Sequence, residues 1–504
     1  MQKKISMKKI VFSFLLCLLF FTAAKAQSVN GIILADTANI KVIQVFGGHY
    51  QRGFAYGYLC AENIIDIWDN YIQPTYGVYM PFARAIVGNP ANFSVDSIYI
   101  TEARGIIDGV AYAGYDTTGL TYLDLFVVNF MTDLEGFMSV KDFPETQQCS
   151  SLMNWGAATQ GTDLNGKAVI SHFLDAISLN QVITRNQVVV VHFPTEADEQ
   201  PWLMTGIAGQ MVASQALNNN GLVLFLNTVN GFTAQTNKGY EPMTLTLRKA
   251  VEKSDFNGDG ETNVNDVKAA IDANTNGYAR GFIVSAIANS TAGNDTLISM
   301  VAECAPQIPY ITYRNINDVD SVDGTNLYAA NNFIKRNNAQ DYCSRYINVK
   351  DSINHYYNGV NIGSVDNKEI MYTQSTQSSC LQFIQVIPEA GVFTMSVANN
   401  TSPAYTQTPA TLSYNFLFNY AGIQDLTTNC TIYVYPNPAS DLIFMDVPSG
   451  NKYAYFISDL SGKVISNGLL NNQNSICISA LPAGLYFVQL VSSENILVGK
   501  FLKR

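Results

Sequence analysis

The spacing of apolar residues changes along the chain. Between Gly31 and about Pro144 they recur at helical spacing, most clearly in Gly53–Leu59 and Leu123–Phe137. A helix can bury one face when apolar residues return every three or four positions. The pattern therefore predicts that this first part of the chain is rich in helices.

From Cys149 onward the pattern favours strands. The continuous β-branched run Val188–Val191 is typical of a strand buried on both faces. Asn219-Asn220-Gly221 is a turn signal that leads into another apolar run. The α+β domain predicted in this way ends near Tyr420, and its further strands are expected at Leu222–Leu226, Phe282–Ile287, Leu297–Val301, Ile308–Tyr313, Leu381–Ile387 and Val392–Val397.

A polar linker, Ile423–Asn429, separates this domain from a tail with a third pattern. In residues 430–504 short apolar tracts alternate with turn signals, which favours a small β-sandwich. The tail contains, in order, Tyr435-Pro436-Asn437-Pro438-Ala439, Asp459-Leu460-Ser461-Gly462-Lys463, Leu481-Pro482-Ala483-Gly484-Leu485-Tyr486 and Lys500-Phe501-Leu502-Lys503.

With these motifs the tail resembles the C-terminal sorting domain of proteins exported through the type IX (Por) secretion system. The resemblance implies that the type IX machinery is a partner and that the protein reaches the outer surface of a Gram-negative cell. An ordinary carbohydrate- or protein-binding sandwich is the alternative interpretation of the same tail.

The start of the chain also predicts export. Four lysines are followed by the apolar stretch Ile10–Phe21 and by Ala24-Lys25-Ala26, which is the layout of a secretory signal peptide over residues 1–26. The apolar stretch is shorter than the roughly 20 residues of a membrane-spanning helix. No transmembrane segment is therefore expected, and the mature chain is predicted to start near Gln27.

The net charge and the number of cysteines limit which binding partners and which cysteine pairings are possible. The net charge is -11 and there is no basic run, which argues against nucleic acid and anionic lipid as partners. Of the eight cysteines, Cys17 lies in the signal peptide, so seven remain and at least one cannot pair within the chain. An exported protein can form disulfides with the others. The odd thiol fits a Cys nucleophile, but a buried cysteine without a role is equally compatible with it.

The segment 255–266 has the spacing of a calcium-binding loop. Oxygen-bearing side chains stand at loop positions 1, 3, 5, 9 and 12, with Gly260 at position 6 for the tight turn. The segment resembles a dockerin or EF-hand loop, and since dockerins carry two loops, one structural calcium is expected rather than partner recruitment. A solvated turn without metal is the alternative, and no organic cofactor is expected. The predicted metal-site residues are Asp255, Asn257, Asp259, Glu261, Asn263 and Asp266.

The strongest candidate for chemistry is Cys149. It stands at the start of a predicted strand, and the next strand ends in Asp175, which is the layout of an enzyme whose nucleophile becomes its own N-terminus. A Cys nucleophile needs a base. A free α-amino group titrates near 7.7 to 8.0 and can take a thiol proton at neutral pH. That amine exists only if the bond between Gln148 and Cys149 is cut.

Histidine is the other possible base, and the chain has four. His49 lies in the segment that is expected to be removed on cutting, and His192 is expected to be a satisfied core residue in an apolar strand. His172 remains as the base of an ordinary Cys protease. The fourth histidine is His355.

Several motifs resemble those of the N-terminal-nucleophile hydrolases of the penicillin acyltransferase and linear-amide hydrolase group, which is akin to bile salt hydrolase, penicillin V acylase and acid ceramidase. The family strand that ends in Asp usually reads Arg-Asn-x-Asp, whereas this chain has His172-Phe173-Leu174-Asp175. The matching elements lie between about Gly47 and Phe418 and are Gly47-Gly48-His49-Tyr50-Gln51-Arg52-Gly53, Cys149-Ser150-Ser151, Trp155-Gly156-Ala157-Ala158-Thr159, Gly206–Gly209, Asn218–Leu222, Ala330-Asn331-Asn332-Phe333 and Ser344-Arg345.

The resemblance implies roles for five residues. Cys149 would be the nucleophile, Asp175 would hold its amine, and Arg345 would steady the surroundings. Asn227 and Asn331 would hold the oxyanion, where an N–H donor is typically worth about 3 to 4 kcal/mol. Alternatives for the two amides are Asn218, Asn326 and Asn332.

The resemblance also implies a fold and an activity. The fold is an αββα sandwich of the N-terminal-nucleophile hydrolase type, with a helical propeptide at 27–148, a catalytic domain at 149–422 and the tail at 430–504. The activity is that of an exported, self-processing cysteine amidohydrolase that cleaves linear amide bonds of a small-molecule substrate. A catalytically inactive, calcium-stabilised surface binding protein on the same fold is the alternative.

Overall fold

The structure of the protein is a computed structural model. It describes residues 28–37, 39–138, 148–175, 180–318, 322–336, 343–373, 380–419, 432–447, 453–459, 464–470, 474–491 and 496–504. The predicted signal peptide, the residues that immediately precede Gln148, and the predicted linker Ile423–Asn429 lie outside this part of the chain.

Fifteen strands lie in the described residues before the tail, and most of the predicted strands are confirmed. In chain order they are β1 (Gly31–Thr37), β2 (Ile40–Gly47), β3 (Gln148–Asn154), β4 (Val169–Asp175), β5 (Gln187–Pro194), β6 (Trp202–Ile207), β7 (Gln215–Asn218), β8 (Val223–Val229), β9 (Gly281–Ile287), β10 (Ser299–Cys304), β11 (Ile311–Arg314), β12 (Asn326–Ala329), β13 (Cys380–Ile387), β14 (Val392–Val397) and β15 (Ala410–Ser413).

Helices cluster before Cys149 and recur between the later strands. A π-helical turn, Trp68–Ile72, joins the second and third helices, and another, Ser352–Tyr357, follows the twelfth. The α-helices are α1 (His49–Leu59), α2 (Ala61–Ile67), α3 (Gln73–Tyr76), α4 (Met80–Val87), α5 (Ser97–Tyr112), α6 (Tyr122–Asn129), α7 (Met131–Leu134), α8 (Gln181–Arg185), α9 (Met243–Glu252), α10 (Val264–Asp272), α11 (Asp295–Ile298), α12 (Ser344–Asp351), α13 (Ser364–Thr373) and α14 (Tyr414–Phe418).

The strands before the tail form two sheets. The larger has nine strands in the order β1-β2-β5-β6-β7-β8-β9-β10-β11, and the smaller has six in the order β12-β3-β4-β13-β14-β15. One apolar cluster contains residues of both sheets, including Val189, Ile283 and Ile384, so the sheets pack against each other through it. The α+β class is confirmed.

Helices cover the outer faces of the two sheets. A second cluster joins the larger sheet to α1–α7, α9 and α10, through residues such as Val190, Tyr99 and Leu247. A third joins the smaller sheet to α12 and α13, through Phe173 and Ile370 among others. Side chains of one strand therefore alternate between the inter-sheet layer and a helix layer.

The prediction of a helical segment at 27–148 was incomplete. β1 and β2 precede its first helix, and β2 pairs in parallel with β5, from Ile40 opposite Gln187 to Gly47 opposite Pro194. The segment thus contributes two strands to the larger sheet as well as the helices that cover it. Its partner strand lies well over one hundred residues later, so local periodicity carries no sign of the pairing.

The glycines of the first helix allow an unusually close helix crossing. A Cβ atom at Gly57 would lie 1.9 Å from the carbonyl oxygen of Ile106, and one at Gly53 would lie 2.2 Å from that of Glu102. Gly109 of α5 faces α1 in the same way, because its Cβ would lie 2.1 Å from the Phe54 carbonyl oxygen. The backbones of α1 and α5 therefore touch directly.

This crossing brings a buried ion-pair cluster against the larger sheet. The Nδ1 atom of His49 lies 2.7 Å from Glu102, and its Nε2 atom lies 3.1 Å from Glu199. Burial alone would lower the pKa of His49, but the hydrogen bonds to the two carboxylates raise it to about 9. Arg248 pairs with Glu102 at 2.6 Å and with Glu252 at 2.8 Å. The cluster therefore joins charges from both sides of residue 149.

His192 lies near this cluster and only partly matches its prediction. It is a core residue of β5, stacked on Trp202 with ring centroids 4.3 Å apart. Neither of its ring nitrogens has a hydrogen-bond partner among the described residues, so the expectation of a satisfied histidine was wrong. Burial holds its pKa well below the ordinary value, and the ring is neutral.

The tail folds around a core of its own. Two sheets, one of three strands and one of four, share one apolar cluster that includes Ile443, Val488 and Phe501. This agrees with the all-β character of the predicted small β-sandwich. The strands are β16 (Val434–Tyr435), β17 (Leu442–Met445), β18 (Ala454–Ser458), β19 (Val464–Leu469), β20 (Ser475–Cys477), β21 (Gly484–Val491) and β22 (Ile496–Lys503).

The helix crossing leads to a stability prediction. We expect Gly57→Ala to lower the free energy of unfolding by about 1–3 kcal/mol or more, because the added methyl group collides with the α5 backbone, which cannot rotate away. Urea unfolding of the mature chain measures it. Gln51→Ala, at an exposed position of the same helix, is the control and should stay within about 0.5 kcal/mol of wild type. Equal effects of the two substitutions would contradict the close crossing.

Candidate active site

Cys149 lies at the beginning of β3 in the smaller sheet. In the antiparallel pairing of β3 with β4, Cys149 is opposite Leu174, and Gln148 is opposite Asp175. The connection between the two strands, which includes the short 3-10 turn Gly156–Ala158, is local. The sequence therefore brings Cys149 and Asp175 to the same end of the sheet through one strand pair, as predicted.

The backbone of Cys149 is held by two side chains. Its N–H donates to Oδ1 of Asn331 over 3.1 Å, and its carbonyl oxygen accepts from the Arg345 guanidinium over 3.4 Å. Arg345 also donates to Oδ1 of Asn331. Asn331 follows β12, the neighbour of β3, and Arg345 lies in the first turn of α12. Three separate parts of the chain thus meet at the backbone of Cys149.

Asp175 completes this group. One of its oxygens lies 3.6 Å from the Arg345 guanidinium, and the other, Oδ1, has no hydrogen-bond partner among the described residues. Burial raises the pKa of Asp175 to about 7, against the opposing effects of Arg345 and of the Cys380 thiol. The carboxyl group is therefore poised to gain or lose a proton near neutral pH.

The Cys149 thiol is buried and protonated in the uncut chain. Burial and the negative charge of Asp175 raise its pKa to about 12, although Arg345 and the backbone N–H of Asp175 act in the opposite direction. Its side chain is 1% exposed. Since the thiolate is the nucleophilic form, this thiol is a weak nucleophile until a neighbouring group takes up its proton.

No described cysteine is bridged. Cys149 is free, and so are the others that the structure describes, namely Cys60, Cys304, Cys343, Cys380 and Cys477. Cys380 on β13 is separated from Cys149 by β4, so the two lie about 10 Å apart at the usual strand spacing. A disulfide needs Cα atoms within about 7 Å. Among the described cysteines the structure therefore gives Cys149 no disulfide partner.

Asn227 is linked to Cys149 through the turn that precedes Asn331. Its Nδ2 donates to the carbonyl oxygens of Ala330 over 3.1 Å and of Ala329 over 3.3 Å, in the turn that leads to Asn331. Asn331 in turn donates to the Thr228 carbonyl oxygen over 2.6 Å. In the uncut chain the N–H groups of both amides are thus engaged with backbone carbonyls.

His172 does not face the sulfur with a free nitrogen. Its Nε2 lies 3.2 Å from Oδ1 of Asn227, and its Nδ1 lies 2.9 Å from Nε2 of Gln215. Burial lowers the pKa of His172 to about 3, so the ring is neutral. With both nitrogens bonded, it cannot take the proton of Cys149 in this arrangement.

The five predicted residues therefore fall into two groups. One group is Cys149, Asn331 and Arg345, which contact one another, with Asp175 joined to it through Arg345; Asn227 reaches this group through the turn before Asn331. Of the alternative amides, Asn326 lies elsewhere in a buried amide network with Asn154. Gln215 and Cys380 were not anticipated, because a single polar residue within an apolar strand carries no recognisable spacing.

The predicted calcium loop has the backbone of such a loop. The Asp255 carboxylate accepts from the N–H groups of Gly258, Asp259 and Gly260, and Gly260 has a φ of 84°, as the sixth loop position requires. Asn257 lies 2.8 Å from Asp259. The side chains of loop positions 3 and 5 therefore lie together, and the carboxylate of position 1 lies against the backbone of the turn.

The second half of the loop fits the cation less completely. Asp266 and Asn263 form a capping box at the start of α10, so their oxygens accept from backbone N–H groups. The Glu261 side chain is exposed. The Asp266 oxygens accept from the N–H groups of Phe256 and Asn263, so Asp266 could supply an oxygen to a cation only by sharing it with these donors.

A comparison with protein families identifies the tail. Residues 433–504 match the family described as the secretion system C-terminal sorting domain. The protein is therefore handled by the type IX secretion machinery and is secreted or displayed on the outer cell surface, as predicted. None of the helices in the described residues is both long enough and apolar enough to span a bilayer.

Solved structures resemble a part of this chain only distantly. An N-acylethanolamine-hydrolyzing acid amidase ortholog from Caenorhabditis elegans is 11% identical, with 52% of this chain and 100% of that chain covered and a TM-score of 0.36. A mutant conjugated bile acid hydrolase from Clostridium perfringens is 10% identical, with coverage of 52% and 92% and a TM-score of 0.33. No curated protein matches the sequence.

The burial of Cys149 predicts a contrast between two thiols of the uncut chain. We expect iodoacetamide at pH 7.5 to alkylate Cys477 rapidly, because it is exposed and a hydrogen bond with Ser479 lowers its pKa, and to leave Cys149 unmodified. Mass spectrometry of the peptide that still contains the Gln148–Cys149 bond reports on uncut molecules alone. The same reaction in urea is the control and should label both thiols. Equal labelling without urea would contradict the buried thiol.

Proposed function

We propose that the protein is an exported, self-processing cysteine amidohydrolase whose nucleophile is Cys149. The observation that carries this proposal is that Asn331 accepts from the backbone N–H of Cys149, while Arg345 joins Asn331, the Cys149 carbonyl oxygen and Asp175 in one group. Cutting the bond to Gln148 would turn that nitrogen into an α-amine in a site that is already polar. The thiol and its base would then belong to one residue.

The first stage of the proposed mechanism cuts the chain. The Cys149 sulfur attacks the carbonyl carbon of Gln148, the C–N bond breaks, and the Cys149 nitrogen takes up the proton that the thiol gives up. The product is a thioester, which water cleaves to a carboxylic acid at Gln148 and a thiol at Cys149. Asp175, with a pKa of about 7, is suited to pass the proton between sulfur and nitrogen.

The second stage acts on the substrate. The free amine of Cys149 accepts the thiol proton, and the thiolate attacks the carbonyl carbon of a linear amide. The leaving amine takes that proton as the C–N bond breaks, and water then releases the acid from the thioester. Oδ1 of Asp175, which is unpartnered in the described residues, is available to hold the charged amine.

Asn227 and Asn331 are proposed to stabilise the oxyanion in the cut protein. Their N–H groups contact backbone carbonyls in the uncut chain, so this role requires that at least one such contact be exchanged for the substrate oxygen. Arg345 would keep Asn331 in place, because it bonds both Asn331 and the Cys149 carbonyl oxygen. The two sheets and their helix layers would then form the αββα arrangement of an N-terminal-nucleophile hydrolase.

The proposal predicts two chains from one gene product. The full-length protein, with its tail retained, should yield fragments of which one begins at Cys149, as N-terminal sequencing and intact mass would show. Cys149→Ala should stay whole, because no sulfur remains to attack Gln148. Cys477→Ala, which removes an exposed thiol outside the site, is the matched control and should process like wild type. Wild-type protein that remains whole and lacks amidase activity would contradict the proposal.

We also propose that calcium binds the loop at Asp255, Asn257 and Asp259 and stabilises the fold there. Saturation with calcium at about 100 times Kd should add roughly 2.7 kcal/mol to the free energy of unfolding. Thermal unfolding with calcium and with EDTA measures the gain, which Asp255→Ala should abolish. Asp116→Ala, at another exposed acidic residue, should keep it. The same melting temperature with and without calcium in wild type would contradict the site.

A further inference from the structure

A line of polar side chains crosses the apolar layer between the two sheets. The Thr205 hydroxyl lies 2.8 Å from Oε1 of Gln215, and Nε2 of Gln215 lies 2.9 Å from Nδ1 of His172. Nε2 of His172 then lies 3.2 Å from Oδ1 of Asn227. Their strand neighbours Leu203, Leu217, Ile170 and Phe225 belong to the inter-sheet cluster, so the line is surrounded by apolar groups.

The donor and the acceptor of each hydrogen bond in this line can be assigned by starting from Asn227. Nδ2 of Asn227 contacts the carbonyl oxygens of Ala329 and Ala330. A carbonyl oxygen can only accept, so the N–H groups of Asn227 must face this turn and its Oδ1 must face His172. Oδ1 can also only accept. Nε2 of His172 therefore carries a hydrogen.

The remaining bonds follow from the charge of His172. The ring is neutral because burial lowers its pKa to about 3, so only one nitrogen is protonated. Since that nitrogen is Nε2, Nδ1 accepts from the Gln215 amide, and Oε1 of Gln215 accepts from the Thr205 hydroxyl. Stacking on Phe225, with ring centroids 4.6 Å apart and planes at 8°, fixes the ring plane.

The line ends at the nucleophile. Ala329 and Ala330, which accept from Asn227, immediately precede Asn331, and Asn331 accepts from the Cys149 backbone N–H. Without a donor from His172, Oδ1 of Asn227 would be buried without a partner, which costs about 1–3 kcal/mol and favours rotation of the amide. Rotation would turn an acceptor toward the two carbonyl oxygens and disturb the turn.

We infer that His172 is a positioning residue, whose Nε2–H fixes the direction of the Asn227 amide and, through the 329–331 turn, the placement of Asn331 at Cys149. The inference rests on the proposed function. It assigns a use to the residue at which this chain departs from Arg-Asn-x-Asp. It also separates His172 from a general base, which would need a free nitrogen facing the sulfur.

The experiment compares two reactions of Cys149 in the cut protein. Acylation by 4-nitrophenyl acetate, followed as a burst of 4-nitrophenolate, passes through an oxyanion and needs aligned amide donors. Alkylation by iodoacetamide needs only the thiolate. Wild type, His172→Phe and His172→Gln are compared, and a specific protease site placed before Cys149 gives each of them the same N-terminal cysteine. His172→Phe keeps the stacked ring without the N–H, and His172→Gln restores a donor.

We expect His172→Phe to slow acylation about 10- to 100-fold, since oxyanion-hole donors are typically worth that much or more. Alkylation should stay within about twofold of wild type, and His172→Gln should restore most of the acylation rate. The pH midpoint of acylation should be the same in wild type and His172→Gln, because the amine remains the base.

Three other results would overturn the inference. Unchanged acylation in His172→Phe would mean that His172 positions nothing. A parallel loss of acylation and alkylation, or a failure of His172→Gln to restore acylation, would indicate a base or a purely structural residue. If wild type with a free N-terminal Cys149 forms no acyl-enzyme at all, the proposed function fails, and the inference fails with it.

Discussion

The contact between the two large sheets is the constraint on which the candidate site depends. The layer between them is apolar, and a polar group placed there is costly unless every donor and acceptor is bonded. Four polar side chains lie in that layer and are hydrogen-bonded to one another in the order Thr205, Gln215, His172 and Asn227. Because it is costly to leave any of these donors or acceptors unbonded, only one arrangement of the hydrogen bonds is favourable. The line of bonded side chains ends at the turn beside Cys149.

The same constraint explains the state of the nucleophile. Cys149 is part of a paired strand and is buried, so its thiol is protonated and its backbone nitrogen is an ordinary amide that donates to Asn331. Breaking one peptide bond would replace that amide by an amine that can take up a proton, without moving Asp175 or Arg345. In the proposed mechanism the nucleophile is thus activated by a change in which groups carry protons, while Asp175 and Arg345 stay in place.

The sequence predicted those features that depend on local pattern. Val188–Val191 and Val392–Val397 are strands because continuous or alternating β-branched residues suit a buried pleated surface, and Cys149 meets Asp175 through two strands that are close in sequence. β2 was missed because it pairs with a strand far along the chain. Asn331 and Arg345 came from family resemblance, since periodicity gives no distance between separate elements. Gln215 had no signal of either kind.

The buried ion-pair cluster has a consequence for how the protein can be varied. His49, Arg52 and Glu102 precede residue 149, and Glu199, Arg248 and Glu252 follow it. If a charged side chain on one side of residue 149 is removed, its oppositely charged partner on the other side stays buried and unpaired. This costs several kcal/mol of folding free energy. Chimeras that exchange residues 28–148 with those of a relative would therefore need matching exchanges at Glu199, Arg248 and Glu252, and substitutions in the two halves are expected to arise together.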